Sequence, residues 1–156
     1  MTAPTTDARA AARPAPSEPR PYRFPAFERR TLPNGLKLVI APVHKLPVVT
    51  ALAVVDAGAV CDMPGREGLA PMTARALIEG TRSMDGGELT ARIESLGTAL
   101  DAGADWDSAI VQLTALSANL PAAFEILGEV LVAPSFPERE VERLKAERLE
   151  IGRAHV

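Results

Sequence analysis

The sequence predicts an α+β fold, an antiparallel sheet with helices packed on it. Apolar residues recur at the period of a strand in some segments and at the period of a helix in others. These segments follow one another in the order ββ-αα-ββ-αα, which layers helices on a sheet. Both kinds of segment are bounded by glycine, proline and polar clusters, which mark the turns.

The first pair of strands is set by Leu32-Pro33-Asn34-Gly35-Leu36, an Asn-Gly pair between a run ending at Leu32 and the run Leu36 to Ile40. That is a hairpin signal. After a connection from Ala41 to Pro47, the β-branched and nearly uncharged run Val48 to Val55 reads as a central strand covered on one or both faces. Asp56 to Gly68 carries Gly, Pro and charge, and reads as a loop. Leu69 to Gly80 then reads as a helix with Leu69, Met72, Ala76 and Leu77 on one face. Pro71 fits only its first turn, and Gly80 suits its C-terminal stop. Asp85 is placed to cap a second helix with the stripe Leu89, Ile93 and Leu96, ended by Gly97.

Thr98 to Leu100 and Asp107 to Leu116 read as two strands around Ala102-Gly103-Ala104-Asp105-Trp106. In the second, Ala109, Val111, Leu113 and Ala115 alternate with Ile110, Gln112 and Thr114. Ser117 opens a third helix with the face Leu120, Phe124, Leu127 and Leu131, ending before Pro134. Pro137 opens a fourth, with Val141, Leu144 and Leu149 inward and a charged outer face.

With 156 residues, 47% apolar and 24% charged at a net charge of -3, the chain is one globular domain at most and not a basic nucleic-acid binder. Two histidines, His44 and His155, and one cysteine, Cys61, are too few for a Cys/His zinc site, a disulfide framework or a redox pair. Cys61 is expected as a small buried or half-buried side chain in a reduced compartment, and His44 as a surface residue of a loop. Residues 1–23 alternate Ala, Pro, Thr and Arg and are expected to be a disordered arm, with Arg9, Arg13 and Arg20 solvated. Residues 24–150 are expected to form the folded domain. No segment resembles a signal peptide and no run approaches about 20 apolar residues, so a cytoplasmic protein with no membrane partner is expected.

Several strings together resemble one family. TLPNGLKLVIAPVHKLPVVTALAVVDAGA is followed by GREGLA and a helix closing on EGT, then IESLGTALDAGADWDSAIVQL, then LSANLPAAFEILGEVLVAPSFPEREVERLKAERLE. In this order they resemble the pitrilysin/insulinase family of zinc peptidases from about Arg30 to Leu149. The resemblance implies the start of a LuxS/mitochondrial-processing-peptidase-like half-subunit, truncated within its first half.

In active members the helix after Gly-Leu-Ala carries H-x-x-E-H. Two imidazoles hold Zn²⁺ on one helical face, and the glutamate takes a proton from the metal-bound water. Registered on Gly68-Leu69-Ala70, Pro71 stands at the first histidine, Ala74 at the glutamate and Arg75 at the second histidine. Pro71 and Ala74 have no ligand atoms, and Arg75 is a permanent cation. No catalytic residue and no metal ligand is therefore expected in this chain. Glu79, nearby, reads as a solvated helix residue. The family's third ligand, a glutamate, would fall near Ile151.

The resemblance implies a non-catalytic subunit in a heterodimer. Its partner would be a homologous subunit bearing H-x-x-E-H, with the zinc in that partner, and the pair would act on peptides. Relatives that serve as structural subunits of respiratory complexes leave a second reading, an assembly subunit with the same fold and no peptidase role. Family members grip peptides as an added edge strand, here on Leu100, Asp101, Ala102, Gly103 and Ala104. The same small residues also fit a bend or bulge. Asp101, Asp105 and Asp107 read as turn and strand-end residues rather than a cation site. If the domain is incomplete, Val48 to Val55 and Ala109 to Leu116 are expected to present unpaired edges.

Ile151 to Val156 is what ATC GGA AGA GCA CAC GTC encodes, a common sequencing-library adapter read in frame. The authentic chain is expected to diverge after Glu150, leaving Ile151 to Val156 as a non-native tail. Amplifying the locus from genomic DNA tests this: new codons after Glu150 are expected, and these same codons followed by a stop would overturn it.

Overall fold

The computed structural model describes residues 17–19 and 21–153. Most of the expected arm, with Arg9, Arg13 and Arg20, and the chain end with His155 lie outside the described residues. Two compact units are present, Met1–His44 and Lys45–Val156.

In the first unit, β1 (Glu28–Thr31) pairs antiparallel with β2 (Lys37–Ile40), with Thr31 opposite Lys37. Leu32 donates its N–H to the Leu36 carbonyl at 2.9 Å, and Asn34 Oδ1 accepts the Leu36 N–H at 3.1 Å. Gly35 takes φ +86° with open space around its Cα, so the turn requires glycine for its backbone angle and not for room. The hairpin signal of Asn34-Gly35 is thus realised as a three-residue loop with glycine in the left-handed region.

The second unit holds a three-stranded antiparallel sheet made of β3 (Val48–Val55), β4 (Ala99–Ala104) and β5 (Ala109–Leu116), in the order β3-β5-β4. Four helices accompany it: α1 (Leu69–Ala76), α2 (Gly86–Ser95), α3 (Leu120–Val132) and α4 (Glu138–Arg153). The inner row of β5, Val111, Leu113 and Ala115, is buried against Leu89 of α2 and Ala123, Ile126, Leu127 and Val130 of α3. Asp85 caps α2 in a reciprocal box: its side chain accepts the Glu88 N–H, and Glu88 accepts the Asp85 N–H. Leu89, Ile93 and Leu96 face the core, and Gly97 follows at φ +59°.

Several expectations change. Val48–Val55 is an edge strand, not the central one; β5 is central and is paired on both sides. On β3 the small Ala51 and Ala53 pack on the core, while Leu52 (57% exposed) and Val54 (66%) point away. An apolar run alone does not say which of its faces is covered. Ala102, Gly103 and Ala104 continue β4 rather than forming the turn.

On α3 the buried stripe is Ala123, Ile126, Leu127 and Val130, and Phe124 is exposed. This helix is apolar nearly all round, so the close approach of β5 favours the stripe containing a small alanine. On α1, Ala74 and Ala76 are buried and Leu69 is exposed, and the helix ends at Ala76, before Gly80. Leu144 of α4 is buried, but Leu149 is exposed. Cys61 is exposed, because the 3-10 turn Ala59–Cys61 lies on the surface of the unit.

Two contacts fix the loops around the sheet. Ala59 and Val60 donate their N–H groups to the carbonyls of Asp105 and Trp106, both at 2.9 Å. Gly58 permits this approach, since a Cβ there would stand 2.4 Å from the backbone of Asp107 and Ser108. Thr81, buried between α1 and α2, accepts the Ser83 and Met84 N–H groups and donates to Glu129 of α3 at 3.1 Å.

Truncating the central row should cost far more than truncating the outward face. Leu113→Ala is expected to lose about 3 kcal/mol in urea unfolding, and Leu52→Ala less than about 1 kcal/mol.

Candidate functional site

Helix α1, which follows Gly68, is held at its start by a residue from the preceding loop. Asp62 accepts the Gly68 N–H on Oδ2 at 2.7 Å and the Ala70 N–H on Oδ1 at 2.9 Å. Leu69 donates to the Arg66 carbonyl at 3.2 Å, and Pro71 has no N–H to satisfy. All the N–H groups that an α-helix leaves unpaired at its start are thus accounted for. Gly68 takes φ +94°, which turns the loop into the helix.

Packed against β4, α1 presents Pro71, Met72 and Arg75 to a cavity of about 410 Å³. Asp101, Ala102, Gly103 and Ala104 of β4 line one side, and Leu144, Glu147 and Arg148 of α4 the other. Pro71 and Arg75, one helical turn apart, therefore share the cavity-facing side, whereas Ala74 is turned into the protein at 1% exposure. Of the strand residues expected to contact peptide, Asp101 to Ala104 reach the cavity and Leu100 packs against the core. β4 ends the sheet, so among the described residues its outer backbone edge has no partner strand.

A charge cluster ties α4 to the end of α1. Arg143 reaches Glu79 at 2.8 Å, Glu140 at 2.7 Å and Glu147 at 3.0 Å. Its guanidinium is pushed above its ordinary value, first by Glu140 and then by Glu79. Glu79 is thereby an anchor between helices and not a freely solvated residue. Among the described residues, Arg75, Arg148 and Asp101 have no ion-pair partner within 4.0 Å.

The lining does not fit a zinc ion. From α1 it receives a proline, a methionine and a guanidinium, none of them an imidazole, thiolate or carboxylate, and Ala74 is turned away from it. Among the described residues no group of three or more His, Cys, Asp or Glu side chains is arranged to hold a metal. Asp105 serves the turn instead, with Asp107 contributing only its N–H, whereas Asp101 lies within β4 opposite Gln112 and not in the turn. The Asp105 Oδ1 accepts the N–H groups of Asp107 (2.9 Å) and Ser108 (2.8 Å), which hold its carboxyl below the usual range.

The family model for Insulinase (Peptidase family M16) matches residues 38–155. The chain belongs to this insulinase family. Cytochrome b-c1 complex subunit 1, mitochondrial, of Homo sapiens is 26% identical over 119 residues, covering 76% of this chain and 25% of that protein. Mitochondrial-processing peptidase subunit beta of Saccharomyces cerevisiae is 27% identical over 123 residues, covering 78% and 26%. The insulinase-family chain thus spans about a quarter of the length of these curated relatives.

A peptidase M16 inactive domain from Pseudomonas fluorescens superposes with TM-score 0.69 at 28% identity, over 78% of this chain and 30% of that one. A Helicobacter pylori protease superposes with TM-score 0.74 at 24% identity, covering 83% and 31%, and shares the fold.

Met72 and Leu144, read in the sequence as apolar-face residues, also line the cavity, and Glu147 and Arg148 join them without having been singled out. Leu144 lay in the expected inward stripe of α4, and the residues three and four positions on share its side of the helix. Asp62 was legible only as a loop carboxylate six residues before Gly68. Asp62→Ala is expected to lower stability by about 1 kcal/mol in denaturant titration, with the helix start of α1 losing amide-exchange protection first. Uniform loss of protection across the unit would contradict this local role.

Proposed function

We propose that this chain is the first part of a non-catalytic insulinase-family subunit, which pairs with a homologous subunit bearing H-x-x-E-H and its zinc. The pair degrades or processes peptides in the cytoplasm, and residues 24–150 form the incomplete N-terminal domain. The observation that carries the reading is the cavity-facing side of α1. Pro71 and Arg75 face the cavity and Ala74 is buried. It is the register on Gly68-Leu69-Ala70 that equates these three with the family's two zinc ligands and general base, which supports the reading.

What this chain supplies is a surface. The free edge of β4 offers main-chain donors and acceptors to an extended peptide at Asp101, Ala102, Gly103 and Ala104, with Leu100 seating the strand on the core. Small side chains there let a second backbone approach closely. The small residues do not form a bulge: they run in unbroken register with β5 from Leu100–Leu113 to Ala104–Ala109.

The match to cytochrome b-c1 complex subunit 1 supports a second reading, an assembly subunit without a peptidase role. The natural full-length protein, purified alone and then mixed with an H-x-x-E-H-bearing subunit from the same organism, separates the two. Cleavage of a fluorogenic peptide only in the mixture, with zinc assigned to the partner by metal analysis, is expected. Stoichiometric zinc or cleavage in this subunit alone would overturn the proposal. Co-purification with a large assembly, and no cleavage with any partner, would favour the assembly role.

A further inference from the structure

We propose that the free edge of β4 selects peptides whose successive side chains alternate in charge, acidic toward the helices and basic toward the opposite sheet face. This inference rests on the reading of β4 as a peptide-binding edge and adds the class of peptide it takes.

An added strand projects alternate side chains to opposite faces of a sheet. The two faces flanking this edge differ in charge. On the helix side lies the cavity of about 410 Å³, to which α1 and α4 contribute Arg75 and Arg148 beside apolar Met72 and Leu144. The one helical carboxylate there, Glu147, is engaged by Arg143 at 3.0 Å. Among the described residues the two guanidinium groups have no carboxylate within 4.0 Å. A peptide carboxylate entering this cavity meets two fork-shaped donors.

On the opposite face a cavity of about 210 Å³ is lined by Asp101, Gly103, Ala104, Asp105, Ile110 and Gln112. Asp101 also borders the first cavity, but it stands in register with Gln112 on this outer row. Asp105 is held ionised by the turn amides that donate to it, so this cavity carries negative charge at neutral pH. A lysine or arginine side chain of the peptide fits it. The same edge thus carries opposite potentials on its two faces, and these set register and partner choice more than raw affinity.

Three labelled peptides of equal length test this on the full chain by fluorescence anisotropy: Glu-Lys alternating, an isomer with the same residues ordered Glu-Glu-Lys-Lys, and a neutral Thr-Val alternating strand. The alternating charged peptide is expected to bind about ten-fold more tightly than its isomer, with the difference shrinking as salt is raised. Arg75→Gln with Arg148→Gln should bring the two isomers together and leave the neutral peptide unchanged. Both positions are exposed, and an unaltered circular-dichroism melt would show that the variant folds. Equal binding of the isomers by the unaltered chain would overturn the charge selection while leaving edge binding in place. Failure of all three peptides to bind would overturn edge binding and the selection with it.

Discussion

Burial of one row of one strand organises the larger unit. Val111, Leu113 and Ala115 are the inner face of β5, and each is at most 1% exposed beneath Leu89 of α2 and the stripe Ala123, Ile126, Leu127 and Val130 of α3. Because β5 is also paired on both edges, its position dictates those of β3 and β4. The three strands share a straight register, Ala51 and Leu100 both lying opposite Leu113. Removing apolar area from water at that row is the largest favourable contribution available to a unit of this size.

The candidate site inherits its geometry from that arrangement. β4 is the last strand, so its backbone edge faces outward, and α1 lies against it with Ala74 and Ala76 as the close-packed face. The opposite side of α1 is left to border the cavity with α4. Asp62 fixes where α1 begins, and Arg143 with Glu79 fixes how α4 lies beside its end. On its cavity side this helix presents Pro71, Met72 and Arg75.

Much of this was legible from local rules. Asp85 and Glu88 stand at the spacing of a capping box, Asn34-Gly35 at that of a hairpin, and Val111, Leu113 and Ala115 at that of a strand with one buried face. Each signal depends on atoms within a few residues of one another, and each appears where expected. The miss at α3 has the opposite character. Phe124 looked like core by size, yet it is exposed, and the strand that covers the helix meets Ala123 and Val130.

What the sequence determined by itself was therefore the order and kind of the elements and most of their caps and turns, since these depend on neighbours along the chain. Only the tertiary structure decided that β5 and not β3 is central, which stripe of α3 is buried, and that Arg75 and Arg148 border one cavity at the edge of β4. Those facts depend on which surfaces meet across long chain separations. Periodicity shows that an apolar face exists; the partner that packs against it selects which face is covered and which charges are left facing outward.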